Sequence, residues 1–351
     1  MKKQHLVLAL LFLALLAVTL LTRSSNAAGL GPDILYVGDE IDNTVKSFSA
    51  QDGKKGAFVT QNTTGRLVGP MGLLIAGPEL IVVNQNVNLP LNGEILQYQL
   101  KDGSFTGAWV PSSDPNAPFA PRGAALKDGI IYVAEFVADN SGTPGAVLAF
   151  AGNGDLLGKL TPPTGFTTPF HPRGVVVGSD GLLYVSNVPT FPPATGGQVL
   201  RFDPNTLRFK DVFVDDKGGM GRLNRPEGLV FGPDGNLYIT SFRASMSDTD
   251  SIRIYDGDEG RFLDKIELDQ VGQARAFAQA LLFGPGGKLF IPISGPFGNP
   301  DTGQVRRYDV STKVFDVFVP AGTLGVPFYL TFGRTNSATL RYGFQIEHEG
   351  D

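Results

Sequence analysis

Short apolar runs separated by turn residues dominate this sequence, and their order repeats. Each copy has a Pro- or Gly-containing phrase, an apolar run, a Gly/Asp turn and a second apolar run, as in PRGAALKDGIIYVAEF. The six copies begin at Pro70, Pro121, Pro172, Pro226, Gln279 and Pro327. Glycines that anchor four of them lie 51, 51 and 54 residues apart, at Gly72, Gly123, Gly174 and Gly228. Repeats of this length, built from short strands, predict a β-propeller.

Each full copy divides into two hairpins, which predicts four strands, A to D. The last copy has only strand A, from Pro327 to Phe332, whereas the N-terminal part begins with B-, C- and D-like runs (ILYVGD, NTVKSFSA and GAFVTQ). We therefore predict an all-β, six-bladed β-propeller with four-stranded blades, in which the N-terminal strands complete the C-terminal blade. Closing the ring in this way leaves no free sheet edge at the junction. Residues 339–351 are not needed for the six predicted blades, and we expect them to form an extra strand or a loose tail.

The N-terminus has the pattern of a secretory signal peptide. Lys2 and Lys3 precede an apolar run from Leu6 to Leu21, and Ser25-Asn26-Ala27 offers small residues for cleavage. The run is short for a membrane span, which needs about 20 residues, although an uncleaved anchor is the alternative. The predicted organisation is a signal peptide at 1–27, a propeller at 28–342 and a C-terminal tail at 343–351.

Composition narrows the possible partners and the compartment. Without the three basic residues of segment 1–27, the formal net charge moves from −5 to −8. An acidic chain of this kind disfavours nucleic acid and anionic membrane surfaces as partners. The chain has no cysteine and hence no disulfide, which for a secreted protein fits a bacterial periplasm. We expect a secreted or periplasmic bacterial monomer with no membrane contact beyond the signal peptide.

The repeat places two polar positions per blade at one end of the ring, because strands A and B are antiparallel. The middle residues of the Pro-x-Gly phrases form the first set: Met71, Arg122, Arg173, Glu227, Gln279 and Phe328. The ends of the B strands form the second set: Asp39, Asn84, Glu135, Asn187, Ser241 and Ile293. Polar side chains gathered in a confined place need partners, so the mouth of the central channel is the candidate site.

The B-to-C loops open on the same face, and five of the six span ten or more residues. Long loops on one face favour a walled pocket for a small molecule or a protein partner; the alternative is that the loops pack on one another and cover the channel. The predicted ligand-binding residues are Arg122, Arg173, Glu135, Phe136 and Phe242.

Phrases such as FGPDGNLYITS, PRGVVVGSDGLLYVSN and LYVGDEIDNTVKSF resemble NHL repeats. They are also similar to the repeats of virginiamycin B lyase and of the senescence-marker/gluconolactonase, strictosidine synthase and paraoxonase propellers. The resemblance covers nearly all of the chain after the signal. It implies either a ligand-binding propeller of NHL type or a metal-dependent lactonase.

Two chemistries compete for the polar ring. Carboxylate and amide oxygens suit Ca²⁺, and the predicted ligands are Glu227, Asn187, Asp39 and Asn84. The gluconolactonase resemblance implies comparable places for Glu227 and Asn187, but Arg122 and Arg173 would oppose a divalent cation.

Those arginines would instead clamp a carboxylate or phosphate of a ligand. The third alternative is that they only pair with Glu135, Glu227 and Asp39. Catalytic residues are not identified by the sequence: the histidines outside the signal are His171 and His348. Three functions therefore stay open: a ligand- or partner-binding protein, a Ca²⁺-dependent lactonase or esterase, and a structural surface protein.

Overall fold

The computed structural model describes residues 33–56, 67–86, 88–137, 143–190, 196–215, 222–296, 299 and 301–343. Their strands form six antiparallel sheets, and the one helical segment among these residues is a 3-10 turn at Pro285–Gly287. The predicted signal peptide lies outside these residues. Across the described ranges, no helix has both the length and the apolar character needed to cross a membrane.

Blades 1 to 3 follow one another along the chain, each with four consecutive strands. Blade 1 comprises β3 (Pro70–Ala76), β4 (Glu79–Asn84), β5 (Glu94–Gln99) and β6 (Phe105–Val110). Blade 2 comprises β7 (Pro121–Lys127), β8 (Ile130–Val137), β9 (Pro144–Phe150) and β10 (Leu156–Leu160). Blade 3 comprises β11 (Pro172–Val177), β12 (Leu183–Asn187), β13 (Gln198–Asp203) and β14 (Arg208–Asp215).

Blades 4 and 5 repeat the arrangement, and blade 6 joins the two ends of the chain. Blade 4 comprises β15 (Leu229–Phe231), β16 (Leu237–Ser241), β17 (Ser251–Tyr255) and β18 (Phe262–Glu267). Blade 5 comprises β19 (Leu282–Phe283), β20 (Leu289–Ile293), β21 (Gly303–Asp309) and β22 (Val314–Leu324). Blade 6 comprises β23 (Pro327–Phe332), β1 (Ile34–Asp39) and β2 (Thr44–Ser49).

The composite blade confirms the predicted ring closure. β1 pairs antiparallel with β23, with Leu35 opposite Phe332 and Val37 opposite Leu330. The six-bladed, all-β propeller is thus the fold predicted from the repeat. The run GAFVTQ, predicted as the fourth strand of this blade, falls almost wholly on residues 57–61, outside the described residues.

The glycines of the repeated phrase are required by the approach of neighbouring blades. A Cβ atom on Gly123 would lie 2.9 Å from the backbone oxygen of Arg173, and one on Gly174 would lie 2.5 Å from that of Glu227. Gly72 and Gly228 stand in the same relation to the next blade. The inner strands can therefore pack around a narrow axis only where this position has no side chain.

Aromatic residues of the B strands join blades 3, 4 and 5 to the blade that follows each of them. Tyr184 of β12 packs edge-on against Phe231 of β15, with ring centroids 5.0 Å apart. Tyr238 meets Phe283 in the same way at 5.0 Å, and Phe290 meets Phe332 at 5.0 Å. Such edge-to-face pairs stabilise by about 0.5–1.5 kcal/mol beyond the area they bury. In these three blades, the aromatic residue of the second apolar run thus contacts the next blade.

The segment after β23 closes one end of the central channel. Ser337 accepts a hydrogen bond from the Leu126 amide at 2.8 Å, and Ala338 accepts one from the Val177 amide at 2.9 Å. Leu340 lines the axial cavity of about 40 Å³ together with inner-strand residues such as Leu73 and Leu330. The region predicted as an extra strand or tail is, up to residue 343, a turn-rich cap with one isolated bridge, Thr335 to Tyr342; residues 344–351 lie outside the described residues.

Candidate functional site

The first set of predicted positions meets at the open end of the axis. Arg122 of blade 2 donates through Nη1 to Oε1 of Gln279 in blade 5 at 3.4 Å, and the same Nη1 lies 3.9 Å from Sδ of Met71. These partners are uncharged, and among the described residues Arg122 forms no ion pair. Its side chain is half-buried, so its charge is balanced neither by a bonded carboxylate nor by full solvation.

Arg173 lies beneath this layer and is almost fully buried, with 2% of its surface exposed. Its Nη1 lies 3.0 Å from Oε1 of Glu227 and donates to Oε2 at 3.3 Å. Its guanidinium stacks on Phe136 with the carbon 3.5 Å from the ring centroid. Burial lowers the pKa of Arg173 to about 9, with Glu227 acting in the opposite direction and Arg122 and Arg225 adding to the decrease. It remains protonated at neutral pH.

Arg225 is a further guanidinium at the mouth that the repeat analysis missed. Its Nε lies 3.6 Å from Oε1 of Glu227, so two arginines share one carboxylate. Burial lowers the pKa of Arg225, Glu227 raises it, and Arg122 and Arg275 lower it further. The signal was present in the sequence, since Arg225 immediately precedes the Pro-x-Gly phrase, but only the middle residue of the phrase was considered.

Aromatic rings complete this side of the mouth. Phe242 stacks on Phe277 with centroids 4.9 Å apart. The guanidinium carbons of Arg225 and Arg275 each lie 4.9 Å from the Phe242 centroid. Arg275 is neutralised by Asp250, to which its Nη2 donates at 2.7 Å. Phe242, predicted as a ligand contact, is itself buried, and Phe277 is the half-exposed member of the pair.

Tyr329 is a second residue that the sequence analysis missed. In the sixth copy it occupies the place of the phrase glycine, so its side chain lines the axial cavity with Gly72 and Gly174. The hydroxyl is buried and has no hydrogen-bond partner among the described residues. Burial raises the pKa of Tyr329, and Glu227 raises it further, so the phenol stays a neutral donor close to the arginines.

The second set has a structural role that recurs in five blades. The side-chain oxygen at the end of strand B accepts a hydrogen bond from the backbone that enters strand A. Asn84 accepts from the Val68 amide and Asn187 from the His171 amide, each at 2.7 Å. The remaining acceptors are Glu135, Ser241 and Asp39, with donors Phe119, Asn224 and Val326. These side chains hold each blade's entry segment in place.

Within the described part of the chain, Glu135 forms no ion pair with the arginines. Its Oε1 accepts from the Phe119 amide at 3.0 Å, and burial raises its pKa. Phe136, its neighbour, does reach the site, since it lies under Arg173 and 5.7 Å from the guanidinium carbon of Arg122. Of the five predicted ligand contacts, Arg122, Arg173, Phe136 and Phe242 come together.

The residues predicted to bind Ca²⁺ do not fit such a site. Asp39 uses both carboxylate oxygens for Lys46 Nζ and the amides of Gly325 and Val326. The amide oxygens of Asn84 and Asn187 are taken by backbone donors of their own blades. Glu227 faces Arg173 and Arg225, whose charges oppose a cation. In the ranges that the structure describes, no three His, Cys, Asp or Glu side chains are grouped as metal ligands.

One acidic group remains at the mouth. Glu40 follows β1 and is half-buried, and its pKa is raised by burial and by Asp39, with Arg122 acting in the opposite direction. The described mouth thus consists of a half-exposed layer with Arg122, Arg225, Phe277 and Glu40 above a buried layer.

Comparison with known proteins supports the fold. No protein-family model matches the sequence, and no curated protein matches it. The periplasmic gluconolactonase PpgL of Pseudomonas aeruginosa is similar in structure, with 17% identity, a TM-score of 0.55, and coverage of 86% of this chain and 99% of that one. A putative 6-phosphogluconolactonase from Bacteroides fragilis is 13% identical, with a TM-score of 0.52 and coverage of 86% and 98%.

A catalytically inactive virginiamycin B lyase from Staphylococcus aureus, solved with quinupristin, is also similar. It is 15% identical with a TM-score of 0.51, and the match covers 83% of this chain and 81% of that one. Each of these three matched proteins is less than 20% identical to this chain. At such low identity they show a shared fold, so function has to be argued from the site.

Proposed function

We propose that this protein binds a small anionic ligand at the mouth of the propeller axis. The observation that carries the proposal is Arg122, a half-buried guanidinium whose bonded partners, Gln279 and Met71, are uncharged. A carboxylate or phosphate would supply the missing negative charge and accept hydrogen bonds from the planar fork of donors.

The balance of charge around Arg122 favours an anion. Arg275 is neutralised by Asp250, whereas Arg173 and Arg225 share Glu227. Glu40 is the nearby acid, and its raised pKa reflects the cost of charging it in this partly buried place. The mouth therefore carries an excess of positive charge although the chain as a whole is acidic, and such local fields attract anions.

Lactone hydrolysis is the second candidate. Two structural neighbours bear lactonase names, and Glu40 beside Arg122 joins a carboxyl of raised pKa to a guanidinium. Such a pair suits general base catalysis with stabilisation of a developing oxyanion. Because the predicted Ca²⁺ ligands do not fit a metal site, this reaction would use only the chain's own residues. Loss of lactone hydrolysis in Glu40→Gln, with activity unchanged by a chelator, would support it.

The binding proposal is tested by titrating the purified chain after removal of segment 1–27 with phosphate, gluconate and benzoate in a calorimeter. We expect at least one anion to bind, and Arg122→Gln to weaken it by about tenfold to a hundredfold, as the loss of a charge-assisted hydrogen bond does. The matched control is Arg307→Gln, which removes the same charge from an exposed pair with Asp316. If no anion in the panel binds, the proposal fails and a structural surface role gains support.

We further propose that the protein works outside the cytoplasm. The support is the basic start and apolar run of residues 1–27 together with the structural likeness to a protein described as periplasmic. Fractionation of cells that produce the full chain tests this, since removal of residues 4–21 should leave the protein in the cytoplasm.

A further inference from the structure

The mouth displays flat groups, and their geometry limits the shape of the ligand. The rings of Phe242 and Phe277 stack with an interplanar angle of 30°. Arg225 and Arg275 lie against the same two rings, at 5.9 Å and 5.2 Å from the Phe277 centroid. The guanidinium groups therefore lie within cation–π distance of the rings, and a ligand that meets Arg225 can also contact the ring of Phe277.

Two of these residues have a backbone conformation that bulky side chains rarely adopt. Arg225 has φ +45° and Phe277 has φ +52°, and each directly precedes the repeated phrase of its blade. The same place also has positive φ in blade 1, at Gly69 (+73°), and in blade 2, at Ala120 (+47°). Left-handed conformations of non-glycine residues cost about 1–3 kcal/mol and concentrate at binding sites. This conformation thus recurs where the chain enters strand A, and in blades 4 and 5 it places a guanidinium and a phenyl ring at the mouth.

Two guanidinium groups at the mouth, those of Arg122 and Arg225, are incompletely hydrogen-bonded within the described residues. The Nε atoms of Arg122 and Arg225 are buried and form no hydrogen bond within the described ranges. The Arg225 side chain is 31% exposed, so a ligand can reach its edge. A carboxylate lying in the guanidinium plane would accept hydrogen bonds from the N–H groups at this exposed edge.

We infer that the ligand is a planar carboxylate, with an aromatic or conjugated body that stacks on Phe277 and a carboxylate that meets Arg225 and Arg122. Conjugation keeps such a carboxylate coplanar with its ring, so stacking and in-plane hydrogen bonding are satisfied together. A saturated ring of similar size cannot do both. This inference rests on the proposed anion site and specifies its ligand.

Three probes of similar size separate the contributions of ring stacking and of negative charge to the affinity. They are benzoate, cyclohexanecarboxylate and benzamide. We expect benzoate to bind about threefold to tenfold more tightly than cyclohexanecarboxylate, as ring stacking contributes, and benzamide to bind much more weakly than either. Phe277→Leu should remove the preference for benzoate and leave cyclohexanecarboxylate affinity unchanged. Phe315→Leu is the matched control, since Phe315 is an exposed ring against Arg306 on an outer strand.

Failure of the planar-ligand inference can be distinguished from failure of the proposed anion site. Equal affinity for benzoate and cyclohexanecarboxylate would overturn the planar ligand while leaving anion binding intact. Equal affinity for benzoate and benzamide would overturn the role of charge. If Phe277→Leu lowers the melting temperature, Phe277→Tyr provides a second test. This variant keeps the aromatic ring and should therefore keep the preference for benzoate over cyclohexanecarboxylate. Loss of that preference in Phe277→Tyr would count against stacking.

Discussion

Arg122 and Gln279 meet across the propeller axis, with Nη1 3.4 Å from Oε1, although 157 residues separate them along the chain. They belong to blades 2 and 5, which are opposite in a ring of six. This contact shows that the inner positions of distant repeats converge at the open end. It also leaves Arg122 with a neutral partner, which is the basis of the proposed anion site.

Introducing a carboxylate at Gln279 should close the site. In Gln279→Glu the new charge lies beside Arg122, pairs with it and repels an incoming anion. We expect the affinity for the best anion of the panel to fall by about tenfold or more in calorimetric titration. Gln51→Glu makes the same change on an exposed turn and should bind as the parent does; an equal loss in both variants would indicate only an effect of net charge.

Asp39 should be essential to ring closure. Its carboxylate holds Lys46 and the amides of Gly325 and Val326 at 2.7–2.9 Å, joining the first strand to the last. Asp39→Ala removes the acceptor of both buried amides and one of the two partners of Lys46, and we expect a loss of about 2–4 kcal/mol in the free energy of unfolding.

The control for Asp39 is its neighbour Asp42, the other partner of Lys46, which is 41% exposed. Asp42→Ala should cost less than about 1 kcal/mol in the same urea titration, as exposed ion pairs do. Similar losses in the two variants would show that the salt bridge to Lys46, and not the connection between chain ends, matters.

The glycine positions of the repeated phrase should not tolerate even a methyl side chain. A Cβ atom at Gly174 would lie 2.5 Å from the Glu227 oxygen and 2.6 Å from a Leu229 methyl carbon. Gly174→Ala is expected to lower the free energy of unfolding by about 1–3 kcal/mol through overpacking. At Gly107 the nearest atom to a new Cβ is 3.9 Å away, so Gly107→Ala should be neutral or slightly stabilising. A neutral Gly174→Ala would contradict the close approach of blades 3 and 4.

Anion binding should depend on pH through Glu40. Its pKa is raised above 4.5 by burial and Asp39, so the carboxyl is neutral below that raised pKa and gains charge as the pH increases through it. The new negative charge offsets Arg122, and the affinity for sulfate, which stays ionised throughout, should therefore fall with rising pH. Glu40→Gln should flatten this profile and raise affinity at neutral pH about threefold to tenfold.

The exposed acid Glu259, on a turn of blade 4, provides the control for that profile. Glu259→Gln should keep the pH dependence of the parent. A Glu40→Gln protein whose profile is unchanged would show that another group controls binding.

The repeat was sufficient to predict the propeller, its closure and the convergence of Arg122, Arg173, Glu227 and Gln279, because spacing and alternation of apolar residues report directly on strands and their order. The repeat did not reveal the structural roles of Asn84 and Asn187. A polar residue at a strand end looks the same in sequence whether it faces a ligand or accepts a hydrogen bond from its own blade.

The sequence by itself thus determined the blades and which positions surround the axis, since these follow from local pattern repeated along the chain. Only the tertiary structure decided how charges are paired there: Glu227 lies beside two arginines, and Arg122 pairs with no carboxylate among the described residues. The physical reason is that pairing depends on distances of a few ångströms between side chains from different blades, and spacing along the chain does not specify them.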